Sequence, residues 1–157
     1  MCPLEIVKSK LWELMKKDWI AQVKAKPKLR TYVKFKTEFQ IESYLHSFMP
    51  KCKRSLFAQL RMGILPLHIE TGRFRTIKDN NSGQYRKMLP EERVCENCKS
   101  QHIEDEFHFL CFCVKYDYLK ERLYALALEK NRNFYQLDDN AKFVFLCAGG
   151  RLQILFL

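Results

Sequence analysis

The stretch CENCKSQHIEDEFHFLCFC, residues 95–113, constrains this chain more than any other. Cys95 and Cys98 stand at the Cys-x2-Cys spacing with which a tight turn brings two thiolates to one tetrahedral ion. His108 follows after nine intervening residues and Cys113 after four more, completing Cys-x2-Cys-x9-His-x4-Cys. Three thiolates and an imidazole are donors that zinc favours, and four protein ligands close its shell, the mark of a structural site. Cys113 is the preferred fourth ligand, because His-x3–5-ligand spacings at helices are common zinc geometry. Cys111, three residues after His108 at a helical spacing, is the alternative, and His102 lies nearby. A thioredoxin-like pair would sit between a strand and a helix, whereas this one follows the charged LPEER and precedes a polar turn. Three thiolates on Zn2+ leave a net −1 in a segment already acidic, so the finger repels phosphate. Its expected role is to hold neighbouring helices, with metal binding worth on the order of 10 kcal/mol.

The 157 residues, 47% of them apolar, suit one domain with a modest core. No apolar run near the N-terminus has signal-peptide length and none approaches the roughly 18 residues of a membrane span. The expectation is a soluble intracellular chain, nuclear or cytoplasmic, without a membrane partner. Reducing compartments keep thiols free, and the odd count of seven cysteines agrees. Net charge is +10 and unevenly spread. Residues 1–36 carry ten Lys or Arg against three acids and residues 51–93 ten against four, whereas residues 94–140 hold six against nine. A positive region of that size attracts polyanions, nucleic acid first.

Periodicity predicts a mainly α fold: a small helical domain stabilised by the Cys3His zinc site, with little or no sheet. Leu4, Val7, Leu11, Met15, Trp19 and Val23 recur at helical steps, predicting an amphipathic helix from Leu4 to Lys26 that Pro27 stops. Alternation over residues 29–36 allows a short strand or an extended connector. Thr37 with Gln40 reads as a capping box for a helix through Phe48, and Cys52–Met62 as a helix ended by Gly63. In that helix Leu56 and Leu60 mark the core side. Residues 75–92 read as a polar loop. A helix from about Asp105 to Lys130, broken near Cys113, and another starting at LDDN with Asp138 or Asp139 as N-cap complete the pattern. The organisation is a basic helical region over 1–93, the zinc-binding segment with its following helix over 94–146, and an apolar tail over 147–157.

Several stretches together resemble the C-terminal zinc-binding region that follows the polymerase in reverse transcriptases of non-LTR retrotransposons. The likeness spans about Pro27 to Leu146 and rests on the order of elements. Leu-Arg-x-Gly at 60–63 and Glu-x-Gly-Arg at 70–73 precede Cys-x2-Cys, and Glu-Asp-Glu-x-His-Phe-Leu with a following Cys comes after it. The resemblance implies zinc ligands at Cys95, Cys98, His108 and Cys113 and a nucleic-acid-handling appendage that works beside a polymerase chain. A proline frequent after the family's last cysteine is replaced by Val114, and no polymerase palm or endonuclease precedes the region, so a truncated or domesticated copy is expected.

The sequence therefore points to a non-catalytic module that binds RNA or DNA with weak sequence specificity. Arg54, Arg61, Arg73 and Arg75 are the foremost contact candidates. The rival is a zinc-stapled protein–protein interaction module that docks a partner on an apolar face. Catalysis has little to rest on: YQLDD at 135–139 is one residue too long for a polymerase Tyr-x-Asp-Asp, and no P-loop or His-Glu-x-x-His occurs. His46 and His68 show no obvious ligand partners.

Overall fold

The N-terminal repeat folds into one long helix, α1 (Pro3–Ala25), in the computed structural model, which describes residues 3–46 and 48–148. Its apolar stripe is not core: Leu4, Val7, Leu11 and Met15 remain between 46% and 62% exposed. The helix is anchored by its C-terminal turns, where Val23 is buried. Trp12 and Trp19 both pack on Phe39, at 4.9 and 5.5 Å between ring centroids.

After Pro27 the chain is helical, not extended. A 3-10 turn (Pro27–Leu29) leads to α2 (Tyr32–Phe35). A strand would turn Thr31, Val33 and Phe35 to one side; the helical turn buries Thr31 and Phe35 and releases Val33 to solvent. The helix predicted over 37–48 is replaced by an irregular segment and a 3-10 turn, Ser43–His46. Tertiary partners override the local capping signal there. The Lys36 ammonium donates to the Gln40 carbonyl at 2.7 Å and pairs with Glu42 at 2.9 Å, while the Tyr32 hydroxyl also donates to Glu42.

Helix α3 (Lys51–Met62) stops where predicted, at Gly63 in the left-handed region (φ +69°). A Cβ there would also meet Thr31 Oγ1 at 3.1 Å, so a side chain at 63 is opposed by both backbone and packing. The buried side of α3 carries Phe57 and Leu60, whereas Leu56, expected inside, is exposed. A single turn, α4 (His68–Thr71), follows.

The polar stretch expected to be a loop contains a small antiparallel hairpin, β1 (Thr76–Lys78) with β2 (Tyr85–Lys87), in the register Thr76–Lys87, Ile77–Arg86 and Lys78–Tyr85. Its turn is nucleated by Asp79, whose Oδ1 accepts the amides of Asn81 and Ser82 at 3.0 and 2.8 Å, with Gly83 at φ +69°. Arg86 then donates to Asp79 Oδ2 at 3.0 Å and to Glu92 at 2.5 Å. The Ser82 amide, aided by Arg86, holds the Asp79 carboxyl at about 2, and Arg86 with the Leu89 amide holds Glu92 at about 2. Depressed carboxyl values contribute stability that is complete above the unfolded value of roughly 4 and is lost as pH falls through the folded value. The Asp79 amide donates to the Gln84 carbonyl and the Met88 amide to the Arg75 carbonyl across the hairpin, so amide exchange at Asp79 and Met88 should stay protected at about pH 4 and open towards about pH 2. In Asp79→Asn/Glu92→Gln that acid-induced step should vanish.

Past residue 105 the expected helix is interrupted as anticipated. A π turn (His108–Phe112) and a 3-10 turn (Val114–Tyr116) precede α5 (Asp117–Lys130). A 3-10 turn (Phe134–Gln136) leads to α6 (Asp139–Ala148), whose N-cap is Asp138: its Oδ1 accepts the Ala141 amide at 2.8 Å. One apolar core joins Phe35, Tyr44, Phe57 and Leu60 to Leu110, Leu123, Phe134, Phe143 and Leu146. Packing thus crosses the boundary drawn at residue 94. The fold is mainly α, with one two-stranded sheet among the described residues. Of the apolar tail, Cys147 and Ala148 close α6 and residues 149–157 lie outside the described residues. Among the described residues no helix is long and apolar enough to cross a membrane.

Candidate metal centre

A short ladder closes the first half of the site. Val94 bridges Ile103, the Cys95 amide donates to the His102 carbonyl at 2.8 Å, and the Glu104 amide donates to Arg93 at 3.0 Å. The chain between must turn back within a few residues, and Lys99 and Gln101 take left-handed φ values of 56° and 60° to do so. Glu104 fastens this loop to α4. Its Oε1 accepts from Asn97 Nδ2 and its Oε2 from the His68 amide, both at 2.8 Å. His68 itself packs beneath the loop, with Nδ1 2.7 Å from the Val94 carbonyl oxygen.

The second half rests on the π turn. The Cys113 amide donates to the His108 carbonyl at 2.8 Å, an i to i+5 bond that brings residues five apart to one side of the chain. That local widening reconciles the long His-x4-Cys spacing with a shared ligand set. Cys111 is carried to another side, its Sγ 3.8 Å from the Asp139 carbonyl oxygen. His108 is held from behind by its own amide, which donates to Asp105 Oδ1 at 2.8 Å.

Cys95, Cys98, His108 and Cys113 consequently present ligand atoms that all lie within 4.8 Å of one another, a set able to hold a metal ion. These are the four residues expected from the sequence, with the preferred Cys113, and not its alternative Cys111, in the group. The Sγ atoms of Cys95 and Cys113 are 3.8 Å apart, and His108 Nε2 is 3.2 Å from Cys98 Sγ. A tetrahedron with arms of about 2.3 Å has edges of about 3.8 Å, so the sulfur pair matches ligands of one ion. A disulfide would need about 2.05 Å.

Burial pushes the Cys95 thiol up to about 12 and raises Cys113 as well. Cys98, beside the Ser100 hydroxyl at 3.0 Å, is lowered. Burial, with His102 nearby, lowers His108, which favours the neutral imidazole that a metal requires. Buried thiols on their own resist ionisation; a divalent cation among them reverses that preference and deprotonates them.

Behind the ligands lies a charged network that sequence reasoning missed. Glu106 is wholly buried, and its carboxylate accepts from Arg30 Nη2 at 3.1 and 3.2 Å and from Thr31 Oγ1 at 2.9 Å. Arg30 also donates to the Gly63 carbonyl and pairs with Glu70, each at 3.0 Å. The only local signal was the run Glu104-Asp105-Glu106, which composition alone reads as a solvated face.

Of the arginines predicted to contact phosphate, Arg61 must be withdrawn. It is 3% exposed, donates to Glu42 and the Cys147 carbonyl, and lies over the rings of Phe35, Tyr44 and Phe57 at 4.2, 5.3 and 5.4 Å. A guanidinium so committed is part of the core. Arg73 pairs with Glu70 at 3.0 Å and the half-exposed Arg75 with Glu96 at 2.6 Å, while Arg54 is half-buried on α3. In comparisons with known proteins, no family model matches the chain, and neither a curated protein nor a solved structure does.

Proposed function

We propose that this is a non-catalytic nucleic-acid-binding module in which Cys95, Cys98, His108 and Cys113 would hold a structural Zn2+. The donor set suits zinc over harder cations because thiolates and imidazole are soft or borderline ligands, and four of them leave no position for substrate. Zinc would supply cohesion to residues 94–113, so that the loop, the π turn and α4 keep one arrangement.

The observation that carries the nucleic-acid reading is how the charges are shared. Glu42, Glu70, Asp79, Glu92 and Glu106 are all engaged by Arg or Lys within the fold. Lys8, Lys10, Lys16 and Lys17 on α1, Lys51 on α3, and Lys78 and Lys87 on the hairpin are exposed, with no acidic partner among the described residues. The excess of +10 is therefore presented outward, mainly as lysine. Arg54, Arg73 and Arg75 stay in the proposed surface, the last two by exchanging a carboxylate for a phosphate. The order of motifs resembling the region after a retrotransposon polymerase supports the same assignment, with a polymerase chain as a partner and RNA or DNA as the ligand.

Elemental analysis of the purified chain should give one zinc per molecule. Titration of a labelled mixed-sequence oligonucleotide should lose roughly a hundredfold in affinity between 50 and 200 mM salt if four or five phosphates are contacted. Absence of binding at the lower salt would end this reading. A second reading, a protein-docking module, is favoured by the exposed stripe Leu4, Val7, Leu11 and Met15 on α1. Partner binding through that stripe would barely respond to salt.

A further inference from the structure

The hairpin separates its charges by face. Ile77 and Arg86, paired across the ladder, point inward, and there Arg86 is neutralised by Asp79 and Glu92. Thr76, Lys78, Tyr85 and Lys87 are all exposed and share the outward face, because directly opposed residues of an antiparallel ladder lie on one side. Neither lysine has an acidic partner among the described residues, and Tyr85, opposite Lys78, is 76% exposed. At the base of the hairpin stands a second bare ring, Phe74, 84% exposed, with the Arg73 guanidinium 5.8 Å from its centroid. No ring of the core touches either aromatic among the described contacts, so packing does not account for them.

From this face the geometry points to a stacking platform for unpaired bases: Tyr85 takes the face of a base in single-stranded nucleic acid while Lys78 and Lys87 meet the flanking phosphates. This rests on the nucleic-acid reading above and narrows it. The occupant follows from the chemistry. Lysines without acids select a polyanion, and a flat ring beside both of them adds attraction only where the polyanion offers an unengaged π face. Bases inside a duplex have both faces covered by their neighbours, so a single strand fits and a duplex does not. Lys87 stands two residues along the strand from Tyr85, about 7 Å away, and Lys78 stands directly opposite it, about 5 Å away, so both ammonium groups can reach phosphates flanking a base that rests on the ring.

The test uses the full, zinc-loaded chain and three labelled probes, a 12-nucleotide oligo-dT, a 12-nucleotide oligo-U and a 12-base-pair duplex, followed by anisotropy. Tyr85→Ala should weaken both single strands roughly tenfold or more and leave the duplex unchanged, with the salt slope unaltered. Tyr85→Phe should restore the single-strand affinity, since stacking needs the ring and not the hydroxyl. Lys78→Gln/Lys87→Gln should lower the salt slope by about 0.7 per lost contact. Tyr118→Ala, which removes an exposed ring on α5 beside Asp117, should change nothing. Unmutated chain that binds single strands, with Tyr85→Ala binding them equally, would overturn the platform while leaving nucleic-acid binding intact. Failure of Tyr85→Phe to restore affinity would also overturn it. Unmutated chain that binds none of the probes would remove both proposals. Relative strength on oligo-dT and oligo-U assigns the strand as DNA or RNA.

Discussion

Cys113→Ser should lower the affinity for added zinc by about a hundredfold or more, and Cys111→Ser should leave it within about threefold. The size follows from spreading the 10 kcal/mol or more of a structural zinc site over four ligands, roughly 3 kcal/mol each, at about 1.4 kcal/mol per factor of ten. The asymmetry follows from the π turn, which sends Cys113 into the ligand set and Cys111 toward Asp139. Competition with a chromophoric chelator reads both variants. Equal losses, or the reverse order, would mean that the segment is α-helical when the metal is bound. The pH dependence has a definite sign. Thiols must ionise and His108 must be neutral to ligate, so affinity rises with pH, and protons are released on binding. Because His108 is lowered, it ceases to limit binding at a lower pH than an ordinary histidine would, leaving the thiols to set the slope in the neutral range.

The candidate ligand set was legible because its spacing is a property of the chain. The turn that brings its members together was not, since a π turn has no repeating signature and the three-residue spacing to Cys111 looks better on an ideal helix. A similar limit applies to Arg61. On α3 it lies four residues after Phe57 and therefore on the same side, the buried one, while its counterion Glu42 comes from a separate segment. Local reading sees a cation and assigns it to solvent. Helix ends were readable where one residue decides them, as at Pro27 and Gly63, while LDDN left Asp138 and Asp139 open and the cap is Asp138. The signal failed at Thr37–Gln40, where Gln40 and Glu42 found partners outside the predicted helix, Lys36 for both and also Tyr32 and Arg61 for Glu42. The hairpin was hidden because its three-residue strands carry no apolar alternation; what the sequence displayed was its turn. For α1 the periodicity correctly named a helix, and the stripe that suggested burial faces solvent. Amphipathicity records that a face is apolar and leaves open what covers it.

Glu106→Ala should destabilise the zinc-saturated chain by about 3 kcal/mol, the lower end of the range for breaking a buried ion pair. Two groups are stranded by the change. Thr31 Oγ1, on a residue 3% exposed, loses its acceptor, and Arg30 loses one of two carboxylates while keeping Glu70 and the Gly63 carbonyl. Arg30 is 26% exposed, so water recovers part of its loss, which is why the lower end applies. Glu106→Gln is the discriminating companion. Burial raises the Glu106 carboxyl above its ordinary value despite Arg30, so the charge itself is held at a cost. A raised acid favours folding fully below its unfolded value, and that advantage fades as pH climbs through the folded one. The amide keeps an acceptor for Thr31 and Arg30 without the buried charge, and should cost no more than about 1 kcal/mol at neutral pH. Urea unfolding of both variants under excess zinc measures this. Equal, small losses for alanine and glutamine would mean that residues 30–31 and the segment carrying the candidate metal site are held together by the apolar core alone.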